Sequence, residues 1–348
     1  MTGFISLDCG LVPKDTTYVE RTTNITYISD GTHIDSGVVG RIIHDTLRTQ
    51  FQQQVWNLRS FPDGQRNCYN FNLTRNQRYL IRGTFLYGNY DGLNLLPSFD
   101  LHIGQTKWTS VSIRELGSSL IREIIHVLTE DSLQICLVKT GETTPFISSL
   151  ELRPLNNNNT YVSQSGSLML LNRVYFSPTP SFIRYDEDIH DRIWVPFIKD
   201  NTTSISTDLP VDTSPRIRDL RSTPILSVYK LMLKINNSAK TAMIPADPTQ
   251  PLNIRWSFGE ITAQSYVYMH FAETQNLEAG ENREFNITFN GLPWFSSFSP
   301  SKLSITTIFS SRAMSSPDGT FSFTFTMTGN STLPPLINGL EIYKVIET

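Results

Sequence analysis

The sequence predicts an all-β protein built from one antiparallel, face-to-face β-sheet module used twice. Three observations carry that expectation. The first is alternation. In FSFTFTMT (321–328), Phe321, Phe323, Phe325 and Met327 share one face, and Ser322, Thr324, Thr326 and Thr328 share the other. The second is turn chemistry, at Pro62-Asp63-Gly64, Gly88-Asn89, Asp91-Gly92, Asn290-Gly291, Pro317-Asp318-Gly319 and Gly329-Asn330. The third is internal repetition. FDLHIGQTKW (99–108) returns as FNITFNGLPW (285–294), and YLIRGTF (79–85) as YVYMHF (266–271). ICLVKTG (135–141) returns as FTFTMTG (323–329), and PFISSLEL (145–152) as PLINGLEI (335–342). The offsets stay between 186 and 190, so one module is used twice.

Taken in order, FISLDCG (4–10) reads as the opening strand. FDLHIG directs Phe99, Leu101 and Ile103 to one face, and YVYMHF directs Val267, Met269 and Phe271 to one face. Residues 120–128 are apolar-rich, and their Ile and Val content favours a strand over a helix. One-sided strands punctuated by Gly, Asn and Pro pack as face-to-face antiparallel sheets. NNNNTYVSQSGS (156–167) has linker composition, which places a first domain at 1–155 and a second at 168–348. Within the second, 201–251 is irregular. Residues 201–215 are small, polar and broken by Pro, and 216–240 is mildly basic without a clear period.

A chain of 348 residues fits two domains, each large enough for its own core. The net charge of −3 argues against nucleic acid or an acidic lipid surface as a partner. No apolar run approaches the roughly 18 residues needed to span a bilayer. Met1 leads straight into a strand, which implies either a cytosolic protein or a chain without its leader. Three cysteines, Cys9, Cys68 and Cys136, are too widely spaced for a zinc motif. They allow one disulfide with one buried thiol, the candidate pair being Cys9 and Cys68, or three buried thiols.

The search for chemistry yields little that resembles an enzyme. The phosphate-binding, dinucleotide, zinc-protease and nucleophile-elbow motifs are all absent, and no cofactor or metal is implied. His102 and His270 fall on the polar faces of their strands, where a solvated imidazole is expected. Asp186, Glu187, Asp188 and Asp191 in RYDEDIHDRIW form the densest acidic group. It suits glycoside hydrolysis or calcium in principle, but the plainer expectation is a solvated loop paired with Arg184 and Arg192, with Trp194 in the core. Sequons occur at Asn24, Asn72, Asn158, Asn201, Asn236, Asn286 and Asn330. Asn286 faces away from Phe285, Ile287 and Phe289, so a glycan there leaves the core undisturbed. The strongest binding candidate is FLYGNYDG, which gathers Tyr87, Asn89, Tyr90 and Asp91 in one loop after a strand. A sugar ring suits an aromatic platform beside amide and carboxylate groups. The plain alternative is that Tyr87 and Tyr90 cap the sandwich.

These segments resemble the malectin-like ectodomain of plant receptor-like kinases, of the class in which this region precedes leucine-rich repeats. The strings that carry the resemblance are FISLDCG, FPDGQRNCYNF (61–71), YLIRGTFLYGNYDG (79–92), FDLHIG, PFISSLELRPL (145–155), IRYDEDIHDRIW (183–194), YVYMHFAE (266–273), REFNITFNG (283–291) and STLPPLINGLEIY (331–343). The resemblance implies two tandem malectin-type antiparallel β-sandwiches of the jelly-roll type, a secretory route, N-glycosylation, and a single-pass parent with a cytoplasmic kinase. It implies a non-catalytic, extracellular ligand-sensing module for a carbohydrate or peptide, with a co-receptor as a further partner. A protein-interaction or spacer module without sugar binding is the alternative, and a glycoside hydrolase is the remote one. This sequence carries neither span nor kinase nor leucine-rich repeats, so it is expected to sense and not to phosphorylate. Animal malectin carries adjacent aromatics after its F-A-E strand. Here Asn89-Tyr90 stands at that place in the first module and Gln275-Asn276 in the second. Unequal contributions from the two modules follow. The segment 216–235 departs from the family pattern and reads as an insertion or a gene-model error, and the pattern resumes at Lys240-Thr241-Ala242.

Overall fold

Alternation in the sequence becomes one-sided burial in the strands. Phe321, Phe323 and Phe325 are fully buried while their neighbours face outward, and Phe99, Leu101 and Ile103 behave alike. The structure, a computed structural model, describes residues 3–42, 45–155, 161, 166–212, 226–227 and 238–347. It divides into two compact units, residues 1–157 with 346–348, and residues 158–345.

The first unit contains β1 (Ile5–Asp8), β2 (Thr17–Val19), β3 (Thr26–Ser29), β4 (Val38–Arg41), β5 (Asn57–Ser60), β6 (Arg66–Asn72) and β7 (Arg78–Leu86). It continues with β8 (Ser98–Ile103), β9 (Thr106–Ser112), β10 (Ser119–Val127), β11 (Ser132–Lys139), β12 (Phe146–Ile147) and β13 (Ser149–Leu155). A short helix, α1 (Asp45–Gln50), lies between β4 and β5. The strands β10-β7-β13-β1-β3-β2 run side by side, opposite the sheet β6-β11-β8-β9, with β12-β5-β4 as a small third sheet. The residues 120–128 expected as a strand are β10. Phe85 on β7, Phe99 on β8 and Phe146 on β12 meet with ring centroids 5.7–6.1 Å apart, which ties the three sheets together.

The second unit contains β14 (Ser167–Tyr175), β15 (Val195–Pro196), β16 (Thr202–Ser206), β17 (Leu226–Ser227), β18 (Thr241–Pro245) and β19 (Leu252–Ser257). It continues with β20 (Ser265–Phe271), β21 (Phe285–Phe289), β22 (Leu292–Phe298), β23 (Thr306–Ser310), β24 (Thr320–Met327) and β25 (Gly339–Ile346). Here β17-β23-β20-β25-β14 face β19-β24-β21-β22, and β16 pairs with β18. One core joins the two sheets: Val267, Met269, Phe271, Ile308, Leu340 and Ile342 from one side, and Ile254, Phe285, Ile287, Phe321, Phe323 and Phe325 from the other. The pairings of β1 with β3 and of β14 with β15 are parallel, a feature that alternation alone does not announce. Of the irregular stretch, 213–225, 228–237 and with them most of the expected insertion at 216–235 lie outside the described residues. So does most of the expected linker at 156–167. Its Tyr161 is described, and it is a core residue: fully buried, with its hydroxyl 2.7 Å from Glu341 Oε2.

The repeat extends to buried charge. Glu151 on β13 and Glu341 on β25 occupy the same place in PFISSLEL and PLINGLEI. In the first unit Glu151 accepts from Arg153 Nη2 at 2.6 Å, Arg82 Nη1 at 3.1 Å and the Tyr27 hydroxyl at 2.6 Å, and Arg82 also pairs with Glu123 at 3.0 Å. In the second, Glu341 accepts from Arg173 Nε at 2.9 Å and from the Tyr161 and Tyr343 hydroxyls at 2.7 and 2.6 Å. The nearby arginines Arg173 and Arg192 hold the Glu341 carboxyl well below the usual range against its burial. Charges this deep persist only when paired with opposite charges.

Three expectations are corrected. The disulfide joins Cys68 to Cys136, not Cys9 to Cys68. Cys68 on β6 lies directly opposite Cys136 on β11, with Cα atoms 4.0 Å apart. Cys9 is a buried free thiol beside Asp30 and Tyr69, and burial pushes its ionisation well up. His270 is buried, not solvated. Every residue of β20 is buried, because Tyr161 and Trp194 cover the face that the sandwich leaves open. Its Nε2 lies 3.3 Å from Glu341 Oε1 and its Nδ1 2.9 Å from Thr307 Oγ1, and burial lowers its pKa. His102 is half-buried and bonds the Gln105 carbonyl.

The acidic loop is the third. Its pairing with Arg184 and Arg192 is present, but it is not a solvated loop. Asp188 and Asp191 are fully buried and only Asp186 is exposed. Asp188 accepts from Arg192 Nε at 2.9 Å, Trp194 Nε1 at 2.8 Å and the His190 N–H at 2.9 Å, and Asp191 takes both ends of the Arg184 guanidinium at 2.8 Å. This segment seals the outer face of β20 and β25, and Trp194 is core as expected.

Candidate functional site

The loop after β7 brings Tyr87, Asn89, Tyr90 and Asp91 together. Gly88 makes the approach possible, since a Cβ there would sit 2.9 Å from Ile42 Cγ2. Tyr87 is fully buried. Its hydroxyl donates to Asp91 Oδ1 at 2.8 Å and to Asn89 Oδ1 at 3.3 Å, and burial with Asp91 beside it pushes its pKa up to about 12. Asn89 adopts φ 56° and accepts from the Asn94 N–H at 2.9 Å, while Asp91 accepts from the Leu93 N–H at 3.2 Å. The Tyr90 ring packs edge-on against Tyr87 at 5.8 Å and lies 5.7 Å from Phe146, with its hydroxyl beside Ser60. Much of the loop's polar capacity is thus spent internally. What it offers solvent is the Asp91 side chain, part of Asn89 and Tyr90, and a run of leucines that sequence reading passed over. Leu93 and Leu95 are 59% and 58% exposed, and Leu96 is exposed as well. Neighbouring exposed leucines of this kind mark interaction surfaces.

The counterpart in the second unit is locked by charge. Gln275 Oε1 accepts from Arg283 Nη2 at 2.6 Å, Arg283 Nε pairs with Glu273 at 2.6 Å, and Asn276 Oδ1 accepts from Lys302 Nζ at 2.6 Å.

A second feature lies on the opposite face of β4 and β5. Leu58 and Gly40 turn toward Tyr90, so their neighbours Arg41 and Asn57, cross-strand partners, turn the other way. There a cavity of about 540 Å³ is lined by Val12, Val39, Arg41, Gln53, Trp56 and Asn57, among others. Gly10 holds its rim at φ +86°, where a Cβ would fall 2.0 Å from the Leu58 carbonyl oxygen. Asn57 Nδ2 and the Tyr18 hydroxyl donate to Asp8 at 3.1 and 2.8 Å, and burial pushes the Asp8 carboxyl up to about 7. Its size falls within the range of small-ligand sites. No motif announced it, because its lining comes from three separate stretches.

Nothing at either place assembles a nucleophile with a base. Among the described residues no group of three or more His, Cys, Asp or Glu is placed to hold a metal. The Asn24, Asn72, Asn201 and Asn330 side chains are exposed. Asn286 is half-buried and accepts from the Ser297 N–H at 2.9 Å, and Asn158 and Asn236 lie outside the described residues.

A family model described as the malectin-like domain matches residues 7–345. The chain belongs to the malectin-like family. A probable LRR receptor-like protein kinase of Arabidopsis thaliana is 64% identical over 347 residues, covering 99% of this chain and 38% of the relative. This malectin-like chain thus spans about two fifths of the length of that curated relative. In fold it resembles the ANX2 ectodomain from Arabidopsis thaliana, with a TM-score of 0.73 at 17% identity, covering 98% of this chain and 96% of that one. It also resembles a chain of the plant peptide RALF23 in complex with FER and LLG2, with a TM-score of 0.71 at 15% identity over 99% and 95% of the two chains. The two-sandwich architecture read from the repeat is therefore that of known malectin-like ectodomains. Among the described residues no helix is long and apolar enough to cross a membrane.

Proposed function

We propose that this chain is the ligand-sensing, non-catalytic part of a plant leucine-rich-repeat receptor-like kinase, displayed on the outer face of the plasma membrane. The observation that carries this reading is the 64% identity to such a kinase along essentially the whole chain. The ligand is a peptide or a carbohydrate, with a co-receptor as a further partner. A fold relative solved with the peptide RALF23 and LLG2 supports the peptide side. The Trp56 cavity and the Tyr87–Asp91 loop of the first unit, which frame β4 and β5 from opposite faces, support the carbohydrate side. The fully buried, fully bonded Asp188 supports the non-catalytic reading.

The test is calorimetric titration of the secreted chain with cell-wall oligosaccharides, malto-oligosaccharides and peptides. The proposal expects at least one saturable ligand and no turnover. Tyr90→Ala and Asp91→Ala that leave such binding unchanged exclude that loop. A chain with no saturable ligand is a spacer, and sugar hydrolysis lost on Asp188→Asn would make it a hydrolase.

A further inference from the structure

The two copies differ where each sandwich opens beside its end strand. In the first unit β1 lies next to β13 and carries β3 in parallel on its other side. Just beyond β3, Asp30 accepts from the Tyr69 hydroxyl on β6 at 2.8 Å, which closes the gap between the sheets. In the second unit β14 lies next to β25, and its parallel partner β15 is only two residues long. The gap stays open as a cavity of about 190 Å³, lined by Val174, Phe197, Met243, Ile254, Trp256 and Ile342. Dry cavities of about 150 Å³ accept a benzene-sized group, so this one fits a single large apolar side chain.

The floor of the opening is β19, which pairs with β24 alone among the described residues. No other described strand pairs with its outer edge. The Asn253 carbonyl points that way, since the Lys199 ammonium donates to it. Backbone groups alternate along an antiparallel strand, so the N–H and C=O of Arg255 point outward too. A lysine capping an exposed edge is a usual guard against unwanted pairing. Trp256 lines the cavity, and its buried indole N–H meets no acceptor among the described residues, which is uncommon in a folded protein. The polar rim holds Lys199 and Arg255 and no carboxylate.

We infer that the outer edge of β19 accepts an extended acidic peptide as an added strand, with one large apolar side chain seated in this cavity. Main-chain bonds to the outward groups of Asn253 and Arg255 give affinity, and the cavity reads the side chain. The entering strand replaces the Lys199 ammonium on the Asn253 carbonyl and frees it to meet an acidic residue of the peptide. This inference rests on the peptide-sensing reading above.

The test is a phage-displayed random heptapeptide library panned on the secreted chain. Recovered peptides are expected to carry a large apolar residue with an acidic neighbour, and to lose tenfold or more when that residue becomes Gly. Arg255→Pro removes an outward N–H without touching the β24 ladder, so it is expected to weaken binding tenfold or more. Arg255→Ala costs threefold or less. Circular dichroism and thermal unfolding check that both variants fold. Val174→Phe, which fills the cavity from the opposite sheet, gives an independent tenfold loss. Peptides that bind the Pro and Phe variants as well as the parent overturn this site but leave peptide sensing standing. A library that yields no binder overturns both.

Discussion

Replacing Cys68 and Cys136 by serine tests the register of the first unit and the corrected disulfide together. The bond joins positions 68 residues apart, on strands that pair Cys68 directly with Cys136. Cross-linking a loop of that length removes conformational freedom from the unfolded chain worth about 4 kcal/mol, and the dependence on length is only logarithmic. For a unit of this size, that corresponds to a fall of about 10 °C in the midpoint of unfolding. The assay is scanning calorimetry of the oxidised parent and of the double Cys68→Ser/Cys136→Ser variant, with peptide mapping of the parent without reduction. Mapping is expected to recover one cross-linked peptide pair containing Cys68 and Cys136, and an alkylatable Cys9 only after unfolding. A Cys9–Cys68 peptide, or a stability change under about 1 kcal/mol, would refute the assignment.

Other outcomes follow from the buried groups. Glu341→Gln leaves Arg173 and Arg192 undercompensated in the interior and is expected to cost about 3–5 kcal/mol in urea unfolding. The Asp8 carboxyl holds its proton up to about pH 7 in the native state but only to about 3.8 when unfolded. The native state therefore binds the extra proton between those values. Its contribution is most favourable below pH 4 and weakens as pH rises to 7, by about 4 kcal/mol. Asp8→Asn should gain that much relative to the parent between pH 4 and pH 7.5, and a pH-independent difference would count against the buried carboxyl. Tyr87→Phe removes the bonds to Asp91 and Asn89 and should cost about 1 kcal/mol, with faster amide exchange in the loop. Glycan mapping of the secreted chain should find higher occupancy at Asn24, Asn72, Asn201 and Asn330 than at the half-buried Asn286.

The sandwiches were legible because alternation is a local signal. Phe321, Phe323 and Phe325 fix a face without knowledge of any partner. The repeat was legible for the same reason, being a comparison of the chain with itself. What escaped depended on distant segments. His270 reads as outward-facing within β20, and only the return of Tyr161 and Trp194 over that face buries it. Asp188 reads as solvated until Arg192 and Trp194 fold over it. The cysteine pairing needs the register between β6 and β11, which no local pattern encodes. The candidate site was half legible. The sequence gathers Tyr87, Asn89, Tyr90 and Asp91, but not the fact that they bond one another and present leucines instead. The Trp56 cavity stayed hidden because Val12, Arg41 and Trp56 meet only in three dimensions.

The duplicated interior glutamates have a practical corollary. Around Glu151 and Glu123 stand Arg82 and Arg153, and around Glu341 and Asp188 stand Arg173 and Arg192. Each of these ion groups is drawn from one half of the chain. Exchanging one half for that of a relative, divided between residues 157 and 158, keeps each of these two ion groups whole. Chimeric chains divided there offer a direct way to test which half supplies the ligand binding proposed above.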